Sequence, residues 1–432
     1  MSISRRKLLG YGAAATTLAA RDGRAGDQIV ARNTPPLQVA ADVAAHRVGA
    51  LPDRFDMRDY LNPKRLTLVM WDVAYALRHV PGGSFADYDR VLDETAERGY
   101  NTVRIDPMPQ WIDLSKPNRI LHWPDPKWPF QPWLWTGAVT GPVGLWIIEF
   151  MEKLRRRPQL NYTLSAWWLM DPPPPMPAVL RRPANHIEGA EMWAMLLTEW
   201  KRRFGFEGLV YVDIANESPF FFPDFQDRIK KETGAEWGVP QLSAMQIDFV
   251  AKEINGGLKL LRREFPELRF TTAMHGDTRW LDIPVELDCL DIHFYADADA
   301  RWTQRTRFDE DIPTMFHSDT WFADLSQRAQ KTHRSMAPML RARQRAKLSD
   351  FAAWAARRGM PLTCSEGWAA WYWIDDPKLD WGWLLDWASW AVEDSIDNRL
   401  WGWTPHDYCQ PQFANWRDVK WHRKLTERFL SG

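Results

Sequence analysis

Two short apolar stretches of this chain each end in a carboxylate. Leu209-Val-Tyr-Val-Asp-Ile-Ala-Asn216-Glu217-Ser218-Pro219 is one, and Pro361-Leu-Thr-Cys-Ser-Glu366-Gly367-Trp368 is the other. A charged group at the end of a buried strand is costly unless it is paired or used. Two such groups on different strands of one barrel mouth can converge. A carboxylate pair at roughly 5–5.5 Å is what retaining glycoside cleavage requires, one as acid/base and one as nucleophile. The competing reading is two rim glutamates held in salt bridges. Strand alternation puts Glu217 on one face with Asp213 and Ala215, and Asn216 on the other. The strand must therefore bend or bulge at its end if both are to reach one site.

Other residues rank below this pair. Thr102, Arg104 and Asp106 share a strand face, so Asp106 is expected to anchor Arg104. Asp291, His293 and Tyr295 share another. Asp72 closes the first strand, either as a hydroxyl-binding group or as a structural cap. His275 ends the fifth, as a contact to sugar or metal. A metal-dependent hydrolase barrel would want convergent His ligands, but the first strand has no His before His79. No His-Glu-x-x-His, Gly-x-Ser-x-Gly, phosphate-binding loop or dinucleotide fingerprint occurs in the mature chain. Cys364 lies two residues before Glu366 on the same face and reads as barrel filling. The three cysteines, Cys289, Cys364 and Cys409, allow at most one bridge.

The elements that must position these groups alternate short apolar runs with longer amphipathic stretches, the pattern of βα units. Eight strands are expected: Leu66–Asp72, Thr102–Asp106, Asn161–Trp168, Leu209–Glu217, Arg269–His275, Cys289–Tyr295, Pro361–Glu366 and Arg399–Thr404. Helical patterns cover Tyr88–Arg98, Glu191–Phe204, Ala244–Phe265, Leu348–Arg358 and Trp381–Asp394. The fold class is α/β, a single (β/α)8 barrel over residues 61–432. In that fold the loops after the strands build the site. Three of them are long or stiff: Pro107–Gly144, the run of prolines after Asp171, and Ala296–Gln344, where extra short helices are expected.

Composition narrows the partner. Lys plus Arg number 55 against 56 Asp plus Glu, a net charge of -1. Nucleic-acid binders carry basic patches or stripes, so a nucleic-acid partner is not expected. The 27 tryptophans are the oddity. Indole rings stack on the apolar faces of pyranose sugars, and many of these fall in loops after strands. Trp168, Trp371 and Trp403 are the candidates for sugar-binding walls, with Trp133 and Trp135. At the N-terminus, Ser4-Arg5-Arg6-Lys7-Leu8-Leu9 precedes a mildly apolar run too short to span a bilayer. Residues 1–26 read as a twin-arginine-type export signal, followed by a leader over 27–60. The mature chain is expected to be exported, periplasmic or secreted, with no membrane span.

The motifs together resemble clan A of the glycoside hydrolases, and within it the cellulase-like glycoside hydrolase family 5. Asn216-Glu217 matches the clan's Asn-Glu at the end of strand four, and Ser365-Glu366-Gly367 its nucleophile at the end of strand seven. Arg98-Gly99-Tyr100-Asn101-Thr102-Val103-Arg104-Ile105 is similar to the stretch carrying the family's strand-two arginine. His293-Phe294-Tyr295 matches a His-x-Tyr motif, and Trp403 or Trp401 the strand-eight tryptophan under the sugar. The resemblance spans about residues 65–410. It implies that Glu217 is the acid/base, Glu366 the nucleophile and Arg104 its support. It further implies an oligo- or polysaccharide substrate with β-linkages and no cofactor. Tyr295 would donate to Glu366, and Asn216 to the sugar 2-hydroxyl. One departure stands out: the third strand ends Ala166-Trp167-Trp168, where the family usually has a His. Three alternatives share these features: a catalytically silent carbohydrate-binding barrel, a metal-dependent hydrolase and a transglycosylase with the same residues.

Overall fold

The protein is described here by a computed structural model. It covers residues 65–432 apart from 125–134, 136, 170–179, 240, 296–298, 308–320, 369–376, 379 and 407–408. The expected export signal and leader lie outside the described residues, as do Trp133 and Trp371.

Strand β1 (Leu66–Asp72) is buried along its whole length. That is the mark of a parallel strand covered on both faces. It pairs in parallel with β2 (Thr102–Ile105), which precedes a small antiparallel hairpin of β3 (Leu121–Trp123) and β4 (Val139–Gly141). The barrel continues with β5 (Asn161–Leu164), β6 (Leu209–Asp213), β7 (Phe270–Thr271), β8 (Met274–His275), β9 (Leu290–Tyr295), β10 (Leu362–Trp368) and β11 (Gly402–Trp403). The sheet order is β7-β6-β5-β2-β1-β11-β10-β9-β8. Only Thr272 and Ala273 separate β7 from β8, so the two ends of the sheet are one stretch of chain and the sheet closes. Eight parallel runs result, at the expected places.

Helices fill the connections. They are α1 (Ala74–Leu77), α2 (Tyr88–Glu97), α3 (Val143–Leu154), α4 (His186–Phe204), α5 (Pro223–Thr233), α6 (Ala244–Glu264), α7 (Ala300–Thr306), α8 (Trp321–Arg357), α9 (Gly382–Asp397) and α10 (Val419–Ser431). Local signals start several of them. Asp87 accepts from the Arg90 N–H, Asn185 from those of Ile187 and Glu188, and Ser243 with Gln246 forms a capping box. The Asn185 cap starts α4 five residues before the expected Glu191.

The largest departure is α8. The expected loop Ala296–Gln344 becomes helix from Trp321 onward and runs through Pro338. Tertiary contacts outweigh that proline: Arg341 pairs with Asp394 at 2.9 Å and His333 with Asp386 at 3.1 Å, tying α8 to α9.

Inside the barrel, Leu66, Leu68, Val210, Tyr211, Cys289 and Trp401 make a separate apolar cluster. All sit at the starts of strands, so they plug the end opposite the strand-end loops. Above them the interior turns polar. Cys289, Cys364 and Cys409 are buried, and no disulfide joins them among the described residues.

Candidate active site

At the C-terminal ends of the strands lies a buried cluster of charge. Arg104 on β2 is at its centre, 1% exposed. Its Nη1 donates to Glu366 Oε2 at 2.7 Å, Nη2 donates to Asn216 Oδ1, and Nε lies 3.4 Å from Asp72 Oδ1. Tyr295, the last residue of β9, donates its hydroxyl to Glu366 Oε1. His293 Nδ1 lies 2.9 Å from Glu217 Oε1 and 3.4 Å from Glu366 Oε2. Glu217, Glu366, Arg104, Asn216, His293, Tyr295 and Asp72 are thus one contiguous site, drawn from β1, β2, β9, β10 and the chain after β6.

The backbone shows how. β6 ends at Asp213, and the chain turns so that Glu217 has φ 45°, in the left-handed region. A glutamate there is strained, and such strain concentrates at functional sites. This is the bend that lets Asn216 and Glu217 both face Arg104. After Glu366, only glycine fits. Gly367 has φ 137°, and a Cβ would collide with the Phe294 carbonyl oxygen.

The two glutamates sit in different fields. Burial, then the nearby Glu366 carboxylate, pushes the Glu217 carboxyl well above the usual range, with Arg104 opposing. Glu366 instead receives donors on both oxygens, one of them a cation. Burial also raises Asp72 to about 7, Asp213 to about 7 and Asp291 to about 6, each against the pull of Arg104. Arg104 itself is held further toward its charged form. Burial opposes this, but Asp72, Glu366, Asp213 and Asp291 outweigh it. One guanidinium faces several acids, so they cannot all ionise together.

Some expected residues lie elsewhere. Asp106 does not anchor Arg104: its carboxylate accepts the backbone N–H groups of Met108 at 2.6 Å and Trp167 at 2.8 Å. Asp72 takes that place, because β1 and β2 are adjacent and the chain leaves β2 before Asp106. Trp168 is 1% exposed, and its indole N–H donates to the Ile214 carbonyl, so it is packing and not a sugar wall. Trp403 is fully buried, with its ring 5.5 Å from Phe429 of α10, outside the barrel interior. Trp401 is in the apolar plug. Neither forms the floor of the site.

His275 is part-exposed and stacks between Phe220, at 5.2 Å, and Tyr295, at 6.3 Å. Burial lowers its pKa to about 4, so the ring is neutral.

Other members were not singled out from the sequence. Ser165 links Arg104 Nη2, at 3.4 Å, to Asp213, at 2.8 Å. Its place one pleat beyond Thr163 could have marked it as inward-facing. Trp167 donates its indole N–H to Asp72 at 2.8 Å and leans on Phe221, with ring centroids 5.0 Å apart. Phe221 meets Phe220 edge-on at 4.8 Å. Trp167, Phe221, Phe220, His275 and Tyr295 therefore form a continuous, part-exposed aromatic arc over the acids. No periodic signal marks Phe220 and Phe221, which lie in a loop.

Glu217, His293 and Glu366 each bring one polar atom within 4.8 Å of the others. A cation could be imagined there, but Arg104 already supplies the positive charge and Tyr295 fills the other Glu366 oxygen.

The sugar-binding cellulase-like family model matches residues 68–430, nearly the whole described chain. The chain belongs to this cellulase-like family. No curated protein matches it in sequence. Among solved structures, it is similar to a putative glycoside hydrolase from Parabacteroides distasonis. Identity is 23% and the TM-score 0.68, with 84% of this chain and 93% of that one covered. The endoglucanase Cel5A of Thermotoga maritima is a more remote likeness, at 14% identity and TM-score 0.47, covering 87% of this chain and 100% of that one. A glycoside hydrolase family 5 mannosidase from Rhizomucor miehei gives 11% and 0.45, covering 85% and 93%. The first of these likenesses speaks to the fold of this cellulase-like protein and not to its substrate.

Proposed function

We propose that this protein is a retaining glycoside hydrolase that cleaves β-linked oligo- or polysaccharides by double displacement. The observation that carries the reading is the Glu217–Glu366 pair, with carboxylate oxygens within 4.8 Å and unlike surroundings. An inverting reaction sets its carboxyl groups about 6.5–9.5 Å apart to admit a water between them, so this closer approach supports retention.

In the first step a Glu366 oxygen attacks the anomeric carbon while Glu217 gives its proton to the departing glycosidic oxygen. The C–O bond to the leaving group breaks and a glycosyl ester on Glu366 forms. In the second, Glu217 takes a proton from water as that water attacks the anomeric carbon, and the ester bond breaks. Arg104 and Tyr295 orient Glu366 for attack by donating to one oxygen each. Asn216 supports the same reading. Its buried Nδ2 has no acceptor among the described residues, and an unused amide N–H beside the reacting centre suits the sugar 2-hydroxyl.

The part-exposed aromatic arc offers apolar faces to the pyranose, and no charged field is required of a neutral substrate. Export of the mature chain, on the strength of residues 1–26, belongs to the same proposal.

The deciding experiment is to incubate the full mature protein with a panel of β-linked oligosaccharides and read the first-formed anomer by NMR. A β-anomer is expected. An α-anomer would sink the retaining mechanism. Binding without turnover of any glycoside, equal in the parent and Glu366→Gln, would point instead to a silent carbohydrate-binding barrel.

A further inference from the structure

Behind the two glutamates runs a chain of polar groups that double displacement does not itself use. Glu217 Oε1 is 2.9 Å from His293 Nδ1. On the far side of the ring, His293 Nε2 is 3.3 Å from Ser365 Oγ. Ser365 Oγ is 2.7 Å from Asp291 Oδ2. Asp291 also accepts the Ser365 backbone N–H on Oδ1 at 3.0 Å, and the Tyr211 hydroxyl on Oδ2 at 3.0 Å. All five side chains are buried.

The hydrogens in this chain can be counted. Above about pH 6, where Asp291 gives up its proton, its carboxylate has no hydrogen to give, and three donors converge on it. Ser365 therefore directs its single hydroxyl hydrogen to Asp291. That leaves Ser365 Oγ with lone pairs for His293, so Nε2 must be the ring nitrogen that bears hydrogen. Burial, then the Arg104 charge, holds His293 well below the usual imidazolium range. The ring is neutral, with one hydrogen only, and Nδ1 is bare. A bare Nδ1 facing Glu217 Oε1 is a good contact when Glu217 is protonated. It is two opposed lone pairs when Glu217 is ionised.

We propose that Asp291, acting through Ser365, selects the His293 tautomer and thereby raises the proton affinity of Glu217. Asp291 and Ser365 are positioning residues in this scheme. The proposal rests on Glu217 being the acid/base. Other charged or titratable groups also bear on Glu217: Glu366 of β10, Arg104 of β2, Asp213 of β6, Asp72 of β1, and, around them, His275 of β8 and Tyr295 of β9. Neither substitution below removes any of these.

In Asp291→Asn the amide would donate to Ser365 Oγ. The serine hydrogen then turns to His293 Nε2, and the ring hydrogen moves to Nδ1, where it favours the Glu217 carboxylate. Ser365→Ala removes the acceptor of Nε2–H without changing any charge. The test is 15N NMR of the full protein labelled at histidine, with the His293 signals identified by their loss in His293→Gln. It is paired with pH profiles of kcat/KM on an aryl β-glycoside.

The parent should show hydrogen on Nε2. Asp291→Asn should move it to Nδ1, and both variants should lower the alkaline limb by about one pH unit, the preference worth one hydrogen bond. Ser365→Thr, which keeps the hydroxyl, should match the parent. Hydrogen on Nδ1 in the parent would overturn the proposal, and so would an unchanged tautomer and limb in the variants. Should Asp291→Asn not fold, Ser365→Ala alone decides. The tautomer is read without turnover, so the two ideas separate. A shift of tautomer in a protein that hydrolyses no glycoside rejects the hydrolase reading only. Hydrolysis with no shift rejects the tautomer control only.

Discussion

Arg104 Nη1 donates to Glu366 Oε2 at 2.7 Å, joining β2 to β10 across the barrel mouth. Both side chains are buried, so the pair is barely screened by solvent. Removing one partner of such a pair leaves the other charge uncompensated, at a cost of about 3–5 kcal/mol. Arg104→Met should therefore unfold at a clearly lower temperature than the parent and lose roughly 100- to 1000-fold in kcat/KM, the scale for one electrostatic donor. Arg104→Lys should fall between, because one ammonium cannot serve Glu366 and Asn216 together. Parent-like turnover in the methionine variant would show that Glu366 needs no cation.

Glu217 is the proton donor in the proposed scheme, and the need for a donor depends on the leaving group. Glu217→Gln should slow release of a poor sugar leaving group by roughly 100- to 10,000-fold. It should slow a good phenolate leaving group far less in the first step. Rates measured on a series of aryl glycosides of falling leaving-group pKa check this. Equal losses across the series would mean that Glu217 acts by some route other than protonation.

The barrel was legible because its strands are short apolar runs spaced by amphipathic helices, and the site because Asn216-Glu217 lies just beyond one of them and Ser365-Glu366-Gly367 near the end of another. Arg104, His293 and Tyr295 follow from the strand period and the family resemblance. What the sequence hid depends on three-dimensional packing. Trp168 and Trp403 have the composition of sugar platforms, but indole is equally good filling between sheet and helix, and only burial tells the two apart. Asp72 ends β1 and Asp106 follows the end of β2, and neighbouring-strand register decides which meets Arg104. The long α8 is stabilised by partners on α9 that no local window contains.

The buried acids predict an unusual pH dependence of stability. Asp72 has a folded pKa of about 7, against roughly 3.9 in an unfolded chain. Below about pH 4 both states hold the proton, and Asp72 has no effect. From there to about pH 7 the unfolded chain releases the proton while the folded one keeps it, so this group erodes stability by at most about 1.4 kcal/mol per pH unit. Above pH 7 the loss is constant. Buried His186, with a pKa of about 3, and His275 and His422, each about 4, act in the opposite sense, adding stability as pH rises toward 6.5. The test is therefore a difference. The melting temperature of Asp72→Asn minus that of the parent should rise from pH 4 to pH 7 and then level off. A flat difference would place the Asp72 pKa in the ordinary range.

Metal removal should not affect turnover. Arg104 and Tyr295 already donate to both Glu366 oxygens, so that carboxylate has its positive partner from within the chain. Dialysis against a strong chelator, followed by assay in metal-free buffer, should leave kcat/KM within about twofold of the untreated protein, a change worth only about 0.4 kcal/mol. Loss of activity restored by a divalent cation would favour a metal-dependent hydrolase and reassign the two glutamates.

Adjacent tryptophans at the end of the third barrel strand should respond in opposite ways. Trp168 is sealed in the wall, where its N–H shares the Ile214 carbonyl with that of Trp193, both at 3.0 Å. Trp168→Ala should cost about 3–5 kcal/mol of stability through the cavity left behind. Trp168→Phe keeps most of the packing and leaves Trp193 on the carbonyl, so it should cost about 1 kcal/mol. In neither folded variant should KM move much. Trp167 is part-exposed in the aromatic arc and holds Asp72 through its N–H. Trp167→Ala should raise KM about tenfold, the loss of one stacking face worth roughly 1–1.5 kcal/mol. Thermal unfolding and Michaelis kinetics on the same four proteins separate the two roles. A KM effect at Trp168 with none at Trp167 would show that the arc is not where sugar binds.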